Sequence, residues 1–315
     1  MHKIIQALLV AGLTFGAPTA PAMARALEEP EAEVGTIALG DDISLRHMVV
    51  RSPDPKGVVL FLHGFPETLY VWQDMSAALA GDYEIHAFDW PGYGQSSRPA
   101  GDAFDYSPRG YAKILKDYIA KAGIDRSKLT IYATDIGALP ALLAALDDPE
   151  IARTIIVGDF APFDRPHYMQ ERLQKLKMPE TAEEVRAQLN AGRDEIFENS
   201  TRRGLAPEAQ FELSEVYQED RRRGWSHGAM SSADAFTRYY LNFSRDQNFF
   251  ESNIARLKTP VKVMWGEKDV FIDHAMGAEL ARNIGVEFQL LPGIGHFPHL
   301  QDPKGAAEEV RSTFR

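Results

Sequence analysis

Apolar positions along this chain fall into short unbroken runs, and amphipathic stretches lie between them. Gly57 to Leu62 carries no polar residue after the glycine, and a run without polar alternation predicts a strand buried on both faces, as in a parallel sheet. It ends in His63-Gly64-Phe65-Pro66-Glu67-Thr68, whose Gly and Pro predict a tight turn before a helix around Val71 to Leu79. Upstream, Val34 to Leu39 and Ser44 to Arg51 predict two strands joined at Gly40-Asp41-Asp42. Downstream, Tyr83 to Phe88 predicts the next strand, and Asp89-Trp90-Pro91-Gly92-Tyr93-Gly94-Gln95-Ser96-Ser97 a turn-rich loop. Ser107-Pro108 opens a helix that Ala122-Gly123 closes. Leu129 to Thr134 is another apolar run, and it passes straight into an Ala/Leu-rich helical run with Pro140 one turn in. Ala152 to Val157 follows as a strand. The alternation predicts an α/β domain with a mostly parallel, doubly wound sheet.

From about Ala161 to Arg245 the rhythm stops and the chain turns helical and charged, with a capping box expected at Thr181-Ala182-Glu183-Glu184. That stretch predicts a helical cap inserted in the sheet domain. The rhythm resumes with a strand at Val261 to Trp265, a helix at Asp273 to Arg282, a strand at Val286 to Leu291 and a closing helix at Gly305 to Phe314. The expected organisation is therefore a core over 25–160, a cap over 161–245 and a second core portion over 246–315.

Composition supports a folded chain: 315 residues, 44% hydrophobic and 25% charged, are enough for one large domain with an insertion. A formal charge of -11 argues against nucleic acid or an anionic membrane surface as partner, because both reward clustered cations. Lys and Arg are scattered apart from Arg221-Arg222-Arg223, which reads as a solvated helix end. Cysteine is absent, which removes disulfides, thiolate metal sites and a Cys nucleophile. The first 24 residues read as a secretory signal, with Lys3 as the positive start, Ile4 to Phe15 as the apolar stretch and Ala22-Met23-Ala24 as the cleavage site. The expected mature chain begins near Arg25 and is periplasmic or secreted.

Candidate chemistry centres on Asp135. Small residues, Ala133 and Gly137, stand two positions either side of it, as a side chain presented on a sharp strand-to-helix turn requires. A carboxylate there is ionised at neutral pH and needs no base to attack carbon, which points to an ester intermediate hydrolysed in a second step. The same Asp would also serve as a helix N-cap. Asp269 follows the Val261 to Trp265 strand and His296 the Val286 to Leu291 strand, so the order nucleophile, acid, His at strand ends is complete. Glu267 and Asp159 are alternative acids, and His299 is an alternative imidazole. The backbone N–H groups of Phe65 and Ile136 are the expected oxyanion donors.

With these residues in place the chain resembles the α/β-hydrolase superfamily from Val34 onward, and within it the epoxide hydrolase and haloalkane dehalogenase branch with an Asp nucleophile. His63-Gly64-Phe65-Pro66-Glu67 followed by Trp72 looks closer to epoxide hydrolases. Haloalkane dehalogenases usually place Trp directly after the nucleophile, where this chain has Ile136. Haloacetate dehalogenases place Arg there to hold a substrate carboxylate, and Ile136 and Leu139 offer no such charge. The resemblance implies ring-opening acids in the cap. By spacing to Pro260 the family's second Tyr corresponds to Tyr239, with Tyr240 beside it; Phe236, Tyr239 and Phe243 share a helix face. The first Tyr has no counterpart near Gln174 or Lys175, and Tyr168 and His167 are the nearest candidates. Trp225 is the cap residue a dehalogenase reading would use.

The sequence thus implies an exported, cofactor-independent hydrolase that acts on a small apolar electrophile, an epoxide first and an alkyl halide second. A ligand-binding protein with a vestigial site is the reading from another class. Oligomeric state is left open.

Overall fold

The computed structural model describes residues 32–40, 42–228 and 230–315. The expected signal over 1–24 and Asp41 of the first hairpin lie outside the described residues. Eight strands form one sheet in the order β1-β2-β4-β3-β5-β6-β9-β10. They are β1 (Ala32–Ala38), β2 (Ser44–Val50), β3 (Val58–Leu62), β4 (Glu84–Phe88), β5 (Leu129–Thr134), β6 (Thr154–Gly158), β9 (Val261–Gly266) and β10 (Phe288–Leu291). β1 and β2 pair antiparallel, as do β2 and β4, and every other pair is parallel. The central strands β3 and β5 are buried at every position, which is why their sequences show no polar alternation.

Helices cover both faces of the sheet, so two apolar layers result. One gathers Leu60, Leu62, Phe88, Ile131, Leu139 and Trp265; the other gathers Val59, Phe61, Trp72, Tyr132, Met264 and Val310. Alternate residues of β3 and β5 feed opposite layers, as the period of two in a strand requires. The helix Pro108–Lys121 starts where expected, with the Ser107 hydroxyl accepting from the Gly110 N–H at 3.0 Å, and Gly123 closes it at φ +68°.

Between β6 and β9 the chain forms the cap, of helices Glu171–Leu176, Pro179–Ala191, Arg193–Asn199, Glu215–Gly224 and Ser232–Leu241. A two-strand hairpin, β7 (Ser226–His227) and β8 (Met230–Ser231), sits among them. The expected capping box at Thr181 is not formed. That helix starts two residues earlier, at Pro179, with Met178 as its N-cap, so Thr181 is inside the first turn and its hydroxyl donates to the Lys175 carbonyl at 2.7 Å. The reciprocal box forms instead between Ser231 and Asp234. The helix Phe243–Asn253 runs across the expected cap boundary at 245 and packs on the core helices Pro108–Lys121 and Ala138–Asp147.

The solvated reading of Arg221-Arg222-Arg223 also fails at its first residue. Arg222 and Arg223 are exposed, but Arg221 is buried between the Tyr217 and Phe197 rings and donates to the Phe197 carbonyl at 2.7 Å. Beside it Asp220 accepts two hydrogen bonds from Arg46 of β2, at 2.6 and 2.7 Å, while the Arg46 Nε donates to Asp89 at 2.6 Å. This buried group ties the cap to the sheet. Asp89 further accepts from the Leu69 and Gln95 N–H groups, so the loop after β4 is organised by one carboxylate.

Candidate active site

The strand β5 ends at Thr134, and Asp135 takes φ +48° before the helix Ala138–Asp147 begins. A left-handed backbone at a non-glycine residue costs about 1–3 kcal/mol. Two N–H donors to the carboxylate offset it, each such charge-assisted bond contributing about 1.5–3 kcal/mol. They come from Phe65 at 3.0 Å and Ile136 at 2.6 Å, both to Oδ1. The turn needs small neighbours for a definite reason: a Cβ on Gly64 would lie 2.6 Å from the Asp135 Cβ, and one on Gly137 would lie 2.9 Å from the Leu62 carbonyl oxygen. Asp135 does not act as a side-chain N-cap, since the N-cap residue of the helix behind it is Gly137 and no side chain caps that helix.

His296 meets the other carboxylate oxygen, its Nε2 standing 3.1 Å from Asp135 Oδ2, and its Nδ1 stands 2.7 Å from Asp269 Oδ2. The remaining Asp269 oxygen accepts from the Phe271 and Ile272 N–H groups at 2.8 and 3.1 Å, which fixes the carboxylate under the imidazole. Burial alone would lower the His296 pKa, but the Asp269 and Asp135 carboxylates outweigh it and hold the imidazole well above its ordinary value.

The alternatives considered from sequence separate cleanly. Glu267 accepts from the Gly293 N–H and faces Lys268, away from the imidazole. His299 is spent on Glu67, at 2.8 Å, with both side chains fully buried. Glu67 in turn accepts from the Gly64 N–H at 2.7 Å, so this pair braces the loop that carries the Phe65 donor. Burial would raise the Glu67 carboxyl, yet the facing His299 imidazole and the Gly64 N–H outweigh it and hold the carboxyl below its usual range. In the same loop His63 is buried, which lowers its pKa and keeps it neutral. Its Nε2 therefore accepts from the Trp90 N–H, and its Nδ1 donates to the Gly64 carbonyl.

Asp159 is the unexpected neighbour. It follows β6 at φ +54°, is fully buried, and one of its oxygens accepts from the Gly266 N–H at 2.9 Å. Its second oxygen has no partner among the described residues. Asp159, Asp269 and His296 offer polar atoms within 4.8 Å of one another. A metal could use such a set, but His296 Nδ1 is already engaged by Asp269 at hydrogen-bond length. Burial first, and then the charge on Asp269, push the Asp159 carboxyl well above its ordinary value, which favours its protonated form.

A narrow, mostly apolar cavity opens onto Asp135 and His296 between sheet and cap. Phe65 and Phe236 form one wall, their rings stacked with centroids 4.2 Å apart. Tyr239 and Tyr240 are buried behind this wall and are not among the lining residues. The Tyr239 hydroxyl donates to the Ile136 carbonyl at 3.2 Å, one residue past Asp135, while the Tyr240 hydroxyl makes no hydrogen bond among the described residues. For both, burial first and neighbouring charge including Asp135 second raise the phenol well above 10, so each keeps its proton. The helix Ser232–Leu241 ends before Phe243, but the Tyr239 and Phe243 rings remain packed at 5.3 Å. Trp225 packs on Phe65 and Phe197 and does not line the cavity. Tyr168 and His167 pack against each other with tilted rings in the turn Pro166–Tyr168, also off the cavity. From the same segment Gln170 and Arg172 reach it, and from the far side Ser200 and Arg203 do. None of these four has a spacing signal in the sequence.

A family model described as "alpha/beta hydrolase fold" matches residues 57–303. A fluoroacetate dehalogenase of Burkholderia sp is 34% identical over 106 residues, a segment covering 33% of this chain and 34% of that protein. This chain thus matches about a third of that relative's length. Epoxide hydrolase 2 of Caenorhabditis elegans is 24% identical over 277 residues, covering 82% of this chain and 74% of that protein. Among solved structures, the haloalkane dehalogenase DbeA of Bradyrhizobium elkani USDA94 superposes with a TM-score of 0.72 at 20% identity, covering 90% of this chain and 98% of that one. At that identity the likeness speaks for the fold. The family match spans the sheet from β3 onward, the elbow at Asp135 and the strand ends that carry Asp269 and His296, and the chain belongs to the α/β-hydrolase fold family, as a hydrolase related to epoxide hydrolases and dehalogenases.

Proposed function

We propose that this hydrolase opens epoxides through an alkyl ester on Asp135. The observation that carries the reading is the division of one carboxylate: Oδ1 lies on the Phe65 and Ile136 N–H groups, while Oδ2 faces His296 with the Asp135 side chain 18% exposed. Oδ2 attacks the epoxide carbon, the ring C–O bond breaks, and its electron pair goes to the ring oxygen, which takes the Tyr239 proton once that hydroxyl turns from the Ile136 carbonyl toward the cavity. Oδ1 becomes the ester carbonyl oxygen, already seated between two donors. His296 then takes a proton from water, the hydroxide adds to the ester carbon, and the intermediate collapses. The departing alkoxide takes the proton back from His296, and the Asp135 carboxyl proton restores the Tyr239 phenol. The sum is epoxide plus water to diol. Asp269 orients the imidazole and supports its charge.

Hydrolytic dehalogenation is the second reading, favoured by the fluoroacetate dehalogenase relative. A departing halide wants side-chain donors, and among the described residues no indole lines the cavity. The deciding experiment is intact-mass measurement of the protein after exposure to a small epoxide and to an alkyl bromide of matched size. The expected result is a mass increase equal to the whole epoxide, localised to Asp135. An adduct formed only by the bromide, with loss of bromide, would replace the first reading by the second.

We also propose, from the sequence of residues 1–24, that the chain is exported. Expressed in a Gram-negative host, the mature protein should begin near Arg25 by N-terminal sequencing; an intact Met1 in the cytosol would remove the proposal.

A further inference from the structure

Two arginines from the cap line the apolar cavity over Asp135, Arg172 from the helix Glu171–Leu176 and Arg203 from the turn after Ser200–Arg202. Arg203 is paired with Glu195. Arg172 is half-buried and makes neither a hydrogen bond nor an ion pair among the described residues. Its surroundings disfavour its charge: burial comes first, then repulsion from Arg203, and only Glu195 acts the other way. Arginine nevertheless stays protonated in proteins. An uncompensated cation facing a second one in a partly dry space is costly unless something anionic comes to it. On the same wall the Ser200 hydroxyl is buried and has no partner, which adds a neutral donor to the two guanidinium forks. Leu173, Leu176, Leu189 and Ile196 give the same cavity an apolar lining.

Resting on the Asp135 reading above, we propose that the preferred substrate is a small electrophile bearing a carboxylate, with Arg172 as the group that selects it and Arg203 and Ser200 as supporting donors. Two physical points favour an anion here. The arginine fork matches a carboxylate in a bidentate way that no neutral ligand repays. A neutral apolar substrate needs no cations, and it would leave Arg172 unpaired and further desolvated when it expelled water from the cavity. An anion moving toward the ionised Asp135 is repelled, and the cap cations compensate at the far end. The charge that the sequence lacks beside the nucleophile, at Ile136 and Leu139, is thereby supplied from the opposite wall.

The test compares binding and turnover. Binding of hexanoate and of hexanamide is measured calorimetrically on wild type, Arg172→Gln and Arg172→Lys, with thermal melting to verify that each variant is folded. Turnover is followed for 5,6-epoxyhexanoate and for 1,2-epoxyhexane. Wild type should prefer the acid by about tenfold or more in both assays, as expected for a charge-assisted contact. Arg172→Gln should collapse that preference through KM while Arg172→Lys keeps part of it, and rising salt should weaken hexanoate binding. Equal binding of hexanoate and hexanamide, or a preference that survives Arg172→Gln in a folded protein, overturns the inference. If neither epoxide is consumed while hexanoate still binds through Arg172, the epoxide chemistry fails and the anion site stands. If only 1,2-epoxyhexane is consumed, the chemistry stands and the anion site fails.

Discussion

Nε2 of His296 lies 3.1 Å from Asp135 and Nδ1 of the same ring lies 2.7 Å from Asp269, so one imidazole bridges two carboxylates. The two contacts act at different times. In the proposed mechanism, alkylation would turn the Asp135 carboxylate into a neutral ester and remove one of the charges that hold the imidazole pKa up, so His296 would release its proton more readily at the step that needs it as a base.

The first prediction follows from that change. The attack on substrate requires an ionised Asp135 and tolerates a protonated His296, whereas ester hydrolysis requires a neutral ring. As pH falls through the imidazole titration, hydrolysis should slow before alkylation does. Quench-flow samples analysed by mass should show the ester fraction rising as pH falls; an ester fraction that does not change with pH counts against the assignment.

His296→Ala should keep the alkylation step and stop hydrolysis, so the ester accumulates to near one per protein. The measurement is intact mass after incubation with any epoxide the wild type consumes. An unshifted mass means that Asp135 does not form a covalent intermediate.

The two acids near His296 should behave differently. Asp269→Asn removes the acceptor that fixes and charges the ring, and should lower kcat by roughly 10³–10⁴-fold, the scale seen when the acid of a triad becomes an amide. Burial and the Asp269 charge push the Asp159 carboxyl up, toward its neutral form, so Asp159→Asn should cost far less, within about tenfold. Steady-state kinetics on both variants checks this, and an equal loss in the two would make Asp159 a charged partner.

Tyr239→Phe should lower epoxide turnover by about 10²-fold or more, as for loss of a positioned acid, and should spare bromide release from a matched bromoalkane. Tyr240→Phe and Trp225→Phe serve as comparisons, because Tyr240 packs behind Phe236 and Trp225 against Phe65 and Phe197. If Tyr240→Phe alone abolishes epoxide opening, the acid is Tyr240.

Glu67→Ala should destabilise the fold by about 3–5 kcal/mol, the range for removing one partner of a buried ion pair, since it leaves His299 and the Gly64 N–H unpaired. It should also lower activity by loosening the loop that carries the Phe65 donor. Chemical denaturation read beside kcat checks both, and Glu67→Gln should recover part of each.

The sequence by itself determined the sheet, the elbow and the order in which Asp135, Asp269 and His296 follow their strands, because each is written in local terms. An apolar run with no alternation has to be buried on both faces, and a residue at φ +48° between a strand and a helix needs Ala133 and Gly137 beside it. Tertiary structure alone decided which of Asp159, Glu267 and Asp269 reaches His296, and sent His299 to Glu67 instead, since residues far apart in the chain share a site only through strand order and register. It also decided the cap. Arg221 reads as solvated yet is buried, and Arg172 is one cation among many in the sequence yet faces the cavity without an acidic partner. A side chain's charge is a local property, whereas its burial and the partners it lacks depend on how helices from distant stretches close over the sheet.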